Sequence, residues 1–172
     1  EGQLTEEATK WAEELRSAGV AYNLAPDADV VPEDRRNTNA PVGKLKRDFG
    51  SEPGLVGAKA MEFIEGMHSA DVVTSVKHFP GLGLVETNTD FGAALDTVTT
   101  ADSESLEPFR AAIAAGIALV RAQKAQGVQL LATGEMGIGN TTTSSAVAAV
   151  LLGQPIETMT GRGAGLSDEG LA

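Results

Sequence analysis

Apolar positions along the chain alternate between helical spacing and short unbroken runs. Leu4, Ala8, Trp11, Ala12 and Leu15 fall three to four residues apart, which predicts an amphipathic helix with Thr5 as a candidate cap, Trp11 in the core and Gly19 as its stop. Val20 to Leu24 reads as a strand ended by Pro26. A polar stretch, Pro32 to Lys46, follows as a long loop with Arg35 and Arg36 solvated, and Asp29 is read as organising its own turn. Pro53 opens a second helix whose stripe is Leu55, Ala58, Phe63, Ile64 and Met67, with His68 structural at its end. Val72, Val73 and Val76 then mark a strand covered on both faces. From Ser103 or Ser105 a third helix runs through Phe109, Ile113, Ile117 and Val120 towards Gly127, with Gly116 weakening its middle. Val128 to Ala132 predicts a third strand, Gly134 to Gly139 a turn, and 145–152 a further helix.

Strand and helix alternate throughout, so the expected fold class is α/β, with three or more parallel strands at Val20, Val72 and Val128 joined by right-handed helical crossovers. A chain of 172 residues is expected to form one domain around one core. The net charge of −11 is unevenly spread: residues 1–112 carry 10 Lys and Arg against 20 Asp and Glu, residues 113–172 only 3 against 4. That balance argues against nucleic acid or an anionic membrane as partner. No cysteine is present, which excludes disulfides, thiolate metal sites and cysteine catalysis. No apolar run is long enough to span a bilayer, and a cytoplasmic location is the default expectation. No metal site and no cofactor is predicted.

The chemistry concentrates where the Val72 strand ends. Lys77 and His78 stand at the carboxyl end of that strand, where parallel sheets and βα barrels place their ligand crevices. Pro80, Gly81 and Gly83 stop the strand and turn the chain. A second candidate is GEMGIGNTT, residues 134–142: a glycine-rich turn entering a helix N-terminus, capped by Asn140 or Thr141, offers unpaired backbone N–H groups and the positive end of the helix dipole to a phosphate.

KHFPGLG followed by NTD resembles the signature of family-three glycoside hydrolases, in particular the bacterial β-N-acetylglucosaminidase branch, and the resemblance extends through AYNLAPDADVV, NAPVGKLKRDFGSEP, AMEFIEGM and LEPFRAAIAAG over about residues 1–115. It implies part of a βα barrel in which Arg47, Lys77 and His78 hold an N-acetylglucosamine-type sugar. That branch takes its acid/base from an Asp-Ser-His loop, where this chain has Asn88, Thr89 and Asp90. Asp90 is left as the catalytic candidate, provided that it is buried, and is otherwise a turn-maker. A retaining mechanism also needs a nucleophilic carboxylate, which the resemblance places on a later barrel strand, beyond the point where the sequence changes character.

From about residue 116 the chain is instead similar to nicotinate-nucleotide:dimethylbenzimidazole phosphoribosyltransferases, through LLATGEMGIGNTTTSSAVAAVLLG and GRGAGLSDEGL. The implied fragment is Rossmann-like. Its implied phosphate or nucleotide residues are Glu135, Gly137, Gly139, Asn140 and Thr141, with Arg162, Gly163 and Gly165 from the second loop. Together the resemblances imply a single composite α/β domain made of residues 1–115 and 116–172. Three functions stay open. The preferred one is an engineered or recombinant chimera without native catalytic activity that binds phosphate or another anion weakly. The others are residual β-N-acetylglucosaminidase activity and residual binding of a mononucleotide. A homo-oligomer in which a second copy supplies missing strands is compatible with each.

Overall fold

The computed structural model describes residues 2–129 and 148–159. The chain divides into two compact units, Glu1–Gln126 and Gly127–Ala172.

In the first unit, helix α1 (Gln3–Ser17) is followed by strand β1 (Tyr22–Asn23), helix α2 (Pro53–Ser69), strand β2 (Val73–Thr74) and helix α3 (Glu107–Ala125), with three short 3-10 turns at Glu33–Arg35, Gly43–Leu45 and Glu104–Leu106. The strands pair in parallel, Tyr22 opposite Val73 and Asn23 opposite Thr74. The α/β character expected from the alternation is therefore present in a small parallel sheet. Beyond the regular ladder the two segments continue side by side: the Ser75 N–H donates to the carbonyls of Asn23 and Ala25, the Lys77 N–H to Pro26, and the Ala28 N–H back to Lys77. This extension carries the residues after β1 alongside those after β2.

Helix α2 is the element on which the others pack. One side meets α1, where Ala8, Ala12, Met67 and Val72 form a buried cluster edged by Leu15, Phe63 and Ala70. The approach is close because Gly66 faces α1: a Cβ there would stand 2.5 Å from the Thr5 carbonyl oxygen and 2.6 Å from the Ala8 Cβ. A second cluster, Ala28, Ala60, Leu106 and Phe109, joins α2 to the start of α3 and to the chain after β1.

Several local expectations need correction. Helix α1 starts at Gln3 behind Gly2, so Thr5 lies inside the helix, and its carbonyl accepts from the Thr9 hydroxyl. Trp11 is exposed and touches Phe63 at a tilted 6.5 Å instead of entering the core. Val72 is buried but Val73 is 54% exposed, as is its register partner Tyr22 at 41%, because helices cover only one face of this sheet. Arg35 and Arg36 are not free: Arg35 donates to the Leu84 carbonyl at 3.1 Å, and Arg36 grips the buried Asp48 carboxylate through both terminal nitrogens, at 2.6 and 3.1 Å, while reaching Glu33 at 3.0 Å. The hydrogen bonds that Arg36 donates to Asp48 and then to Glu33 raise its pKa above the ordinary value.

In the second unit, residues 148–152 are helical and Ile156–Met159 forms a single further turn. Val128 and Gln129 carry no regular structure, and the remainder of the strand expected there, 130–132, lies outside the described residues.

Candidate functional site

The extended pairing of the two post-strand segments decides what meets at the sheet edge. Asp27 bridges Lys77 in parallel register, so PDAD on one segment faces KH on the other. Asp27 and Asp29 flank Ala28, and alternate residues of extended chain share a side. Ala28 points into the core while both carboxylates are directed to the site. The Ala25–Pro26, Lys77–His78 and Phe79–Pro80 peptide bonds are cis.

Arg47 arrives from the turn Gly43–Leu45, which Lys46 leaves in the left-handed conformation at φ 54°. Its backbone N–H donates to the Val42 carbonyl and its Nη1 to the Pro41 carbonyl at 3.0 Å, leaving Nε to pair with the Asp27 Oδ2 at 2.9 Å. Lys77 Nζ approaches the other Asp27 oxygen at 3.7 Å. One carboxylate thus spaces two cations, both of which stay part-exposed.

Asp29 is fully buried. Its Oδ1 accepts the Leu82 N–H at 2.7 Å and its Oδ2 faces His78 Nδ1 at 2.7 Å. A carboxylate only accepts, so Nδ1 carries the proton of this bond. The sequence reading of Asp29 as a local turn-maker is corrected: it does take a backbone N–H, but from a loop 53 residues away. Its hold on His78 had one visible signal, the i, i+2 spacing of the two aspartates, whose partner lies 49 residues on.

Of the residues expected in a site, the structure brings Arg47, Lys77 and His78 together and adds Asp27 and Asp29. Asp90 is exposed, and its backbone N–H is held by Asn88 Oδ1 at 2.9 Å in a local turn. The burial on which its acid role depends is not present. Glu135, Gly137, Gly139, Asn140, Thr141, Arg162, Gly163 and Gly165 lie outside the described residues. Among the described residues, Asp27, Asp29 and His78 are a group able to hold a metal ion, with ligand atoms within 4.8 Å of one another. A dication there would meet Arg47 and Lys77 already on Asp27, and the Nδ1–H would have to be lost from His78. Phe79, which follows His78 in the chain, lines an open pocket of about 300 Å³ together with Pro80, Leu106, Asp96 and Thr99 to Ala101. Phe79 stands edge-on to Phe109, with ring centres 5.7 Å apart.

A family model described as Phosphoribosyltransferase matches residues 66–172. The chain belongs to this family. Nicotinate-nucleotide–dimethylbenzimidazole phosphoribosyltransferase of Desulforudis audaxviator strain MP104C is 58% identical over 62 residues, 36% of this chain and 18% of that protein. The larger part of the chain has other relatives. Beta-hexosaminidase of Xylella fastidiosa strain M12 is 37% identical over 113 residues, 64% of this chain and 32% of that protein. The crystal structure of a beta-N-acetylhexosaminidase from Beutenbergia cavernae DSM 12333 superimposes with a TM-score of 0.65 at 43% identity, over 67% of this chain and 35% of that one. NagZ from Neisseria gonorrhoeae, solved in complex with N-trifluoroacetyl-D-glucosamine, matches with a TM-score of 0.57 at 25% identity, over 66% of this chain and 32% of that one. The chain spans about a fifth to a third of the length of the curated relatives it matches. It is thus a two-part molecule, hexosaminidase-like over its larger region and phosphoribosyltransferase-like in its C-terminal part.

Proposed function

We propose that the first unit is a sugar half-site, part of a βα barrel, that recognises N-acetylhexosamines and hydrolyses them poorly or not at all. The observation that carries this reading is the convergence of Arg47, Lys77 and the Asp29-oriented His78 at the carboxyl end of β2. Two cations held on Asp27 and a part-exposed imidazole held by Asp29 are suited to the hydroxyl and carbonyl oxygens of a sugar. The N-acetylglucosamine analogue bound to the Neisseria protein and the activity named for the Beutenbergia protein support that ligand class. Retaining hydrolysis asks for a proton donor and a nucleophile across the bond, and exposed Asp90 is poorly placed for either. Two measurements test this. N-acetylglucosamine should shift the His78 and Arg47 side-chain NMR signals at millimolar concentration, and an aryl N-acetylglucosaminide should give no turnover above background. Turnover abolished by both Asp90→Ala and Lys77→Ala would show that a complete site is present.

A second reading rests on the 58% identity to a phosphoribosyltransferase. In that reading the Gly134 to Thr141 sequence, which lies outside the described residues, supplies weak binding of phosphate or a mononucleotide. Amide shifts at Gly137 to Thr141 during a phosphate titration test it, and no movement up to roughly tens of millimolar overturns it.

A further inference from the structure

Asn39 is 1% exposed and saturated. Its Nδ2 donates to the carbonyls of Leu82 at 2.6 Å and Val85 at 2.7 Å, and its Oδ1 accepts the N–H groups of Val42 at 3.1 Å and Gly43 at 2.7 Å. A primary amide has two donor hydrogens and two acceptor lone pairs, so every bond it can form is made. No other side chain of similar size supplies two donors and an acceptor there. The four partners belong to two segments that reach the candidate site separately. Val42 and Gly43 open the turn that carries Arg47. Leu82 is held from both sides: its carbonyl by Asn39 and its N–H by Asp29, whose other oxygen orients His78.

We propose that Asn39 is the positioning residue of this site, holding Leu82 by its carbonyl so that its N–H meets Asp29, and thereby setting the His78 imidazole, while fixing the start of the turn that delivers Arg47. Gly83 governs a different property of the same loop. A Cβ there would lie 1.8 Å from the Val30 carbonyl oxygen, so the glycine sets how near the loop sits, whereas Asn39 sets how its peptides are turned. An Asp29 oxygen that lost the Leu82 N–H would be free to rotate away from His78 Nδ1. The arrangement deepens the sugar-site reading and rests on it only where affinity is concerned.

The test uses the full-length chain with 15N-labelled histidine and asparagine. The chain has two histidines, and His68, exposed and paired with Thr74 at 3.1 Å, is the internal reference. Asn39→Asp keeps the shape and the acceptor but loses both donors. We expect its His78 ring nitrogens to move from the Nδ1–H pattern towards a mixture of tautomers with the His68 nitrogens unchanged, and N-acetylglucosamine affinity to fall about tenfold. Val56→Ala, in the buried face of α2, should lower the unfolding midpoint without moving His78, which separates positioning from stability. If Asn39→Asp does not fold, Asn39→Ser is read in the same way. The wild type supplies a further check: the Asn39 side-chain amide protons should exchange with water far more slowly than those of exposed asparagines. A folded variant with an unaltered His78 pattern, or fast exchange at Asn39, overturns the proposal. Absence of N-acetylglucosamine binding by the wild type instead defeats the sugar reading and leaves the His78 result to decide the role of Asn39.

Discussion

Gly81 and Gly83 read alike in the sequence, as residues that let the chain turn after a strand. They differ in the structure. Gly81 takes φ 129°, where a side chain is strained, while Gly83 is required by the Val30 carbonyl oxygen, which any Cβ there would meet at 1.8 Å. The conformational role was legible locally; the close approach was not, because the obstructing atom belongs to a segment 53 residues earlier. Gly83→Ala should therefore push the loop off Val30 and cost about 1–3 kcal/mol or more, the range for overpacking, read from the urea midpoint at constant slope. The same logic separates Arg47, Lys77 and His78, which motif spacing singled out, from Asn39, Asp27 and Asp29, whose importance lies in partners far along the chain. Asp96 shows a residue whose effect stays local. Burial pushes its pKa up, but hydrogen bonds from the Thr99 hydroxyl and from the Thr99 and Val98 N–H groups outweigh this and hold it below its ordinary value. A carboxyl depressed on folding stabilises at pH above its unfolded value and loses that contribution as pH falls through its folded value. The turn at 96–99 should accordingly be intact at neutral pH and loosen only below about pH 4, the unfolded Asp value, with loss of amide protection at Val98 and Thr99 as the readout. Asp96→Asn should flatten that dependence.

Helices were the most legible elements, since a three-to-four-residue apolar period survives whatever surrounds it. All three long helices of the first unit stand where the periodicity put them, with ends displaced by a few residues. Strands were legible in place but not in extent: Val20 to Leu24 and Val72 to Val76 shrink to Tyr22–Asn23 and Val73–Thr74. Pro26 removes a donor from the ladder, and beyond Thr74 the segments pair irregularly. Two glycines inside helices give opposite predictions. Gly66 is the contact point of α1 and α2, so Gly66→Ala should separate them and cost about 1–3 kcal/mol. Gly116 in α3 has nothing within 4 Å of where a Cβ would stand. Gly116→Ala should stabilise by about 0.5–1 kcal/mol through helix propensity alone, a rise of a few degrees in the unfolding midpoint. Equal effects at the two sites would mean that the α1–α2 approach is not close.

For the whole molecule, composition already pointed to two parts: acidic charge is confined to the hexosaminidase-like region and nearly balanced in the rest. What composition could not convey is how much apolar surface this arrangement leaves uncovered. Among the described residues, each strand of the first unit has one neighbour, Tyr22 and Val73 on the sheet are exposed, and so are Ile113, Ile117 and Val120 on α3. Unpaired strand edges beside apolar side chains favour association, while a net charge of −11 opposes it. Salt distinguishes these forces, because screening shortens to about 3 Å at 1 M and weakens the repulsion while leaving apolar contacts in place. The chain should therefore be mostly monomeric at low micromolar concentration in dilute buffer and self-associate increasingly with added salt. Val73→Lys, which places a charge on the open face at the sheet, should reverse much of that trend. Light scattering behind size-exclusion chromatography measures it. A molar mass independent of salt and of concentration, in wild type and variant alike, would mean that these surfaces are covered within one chain.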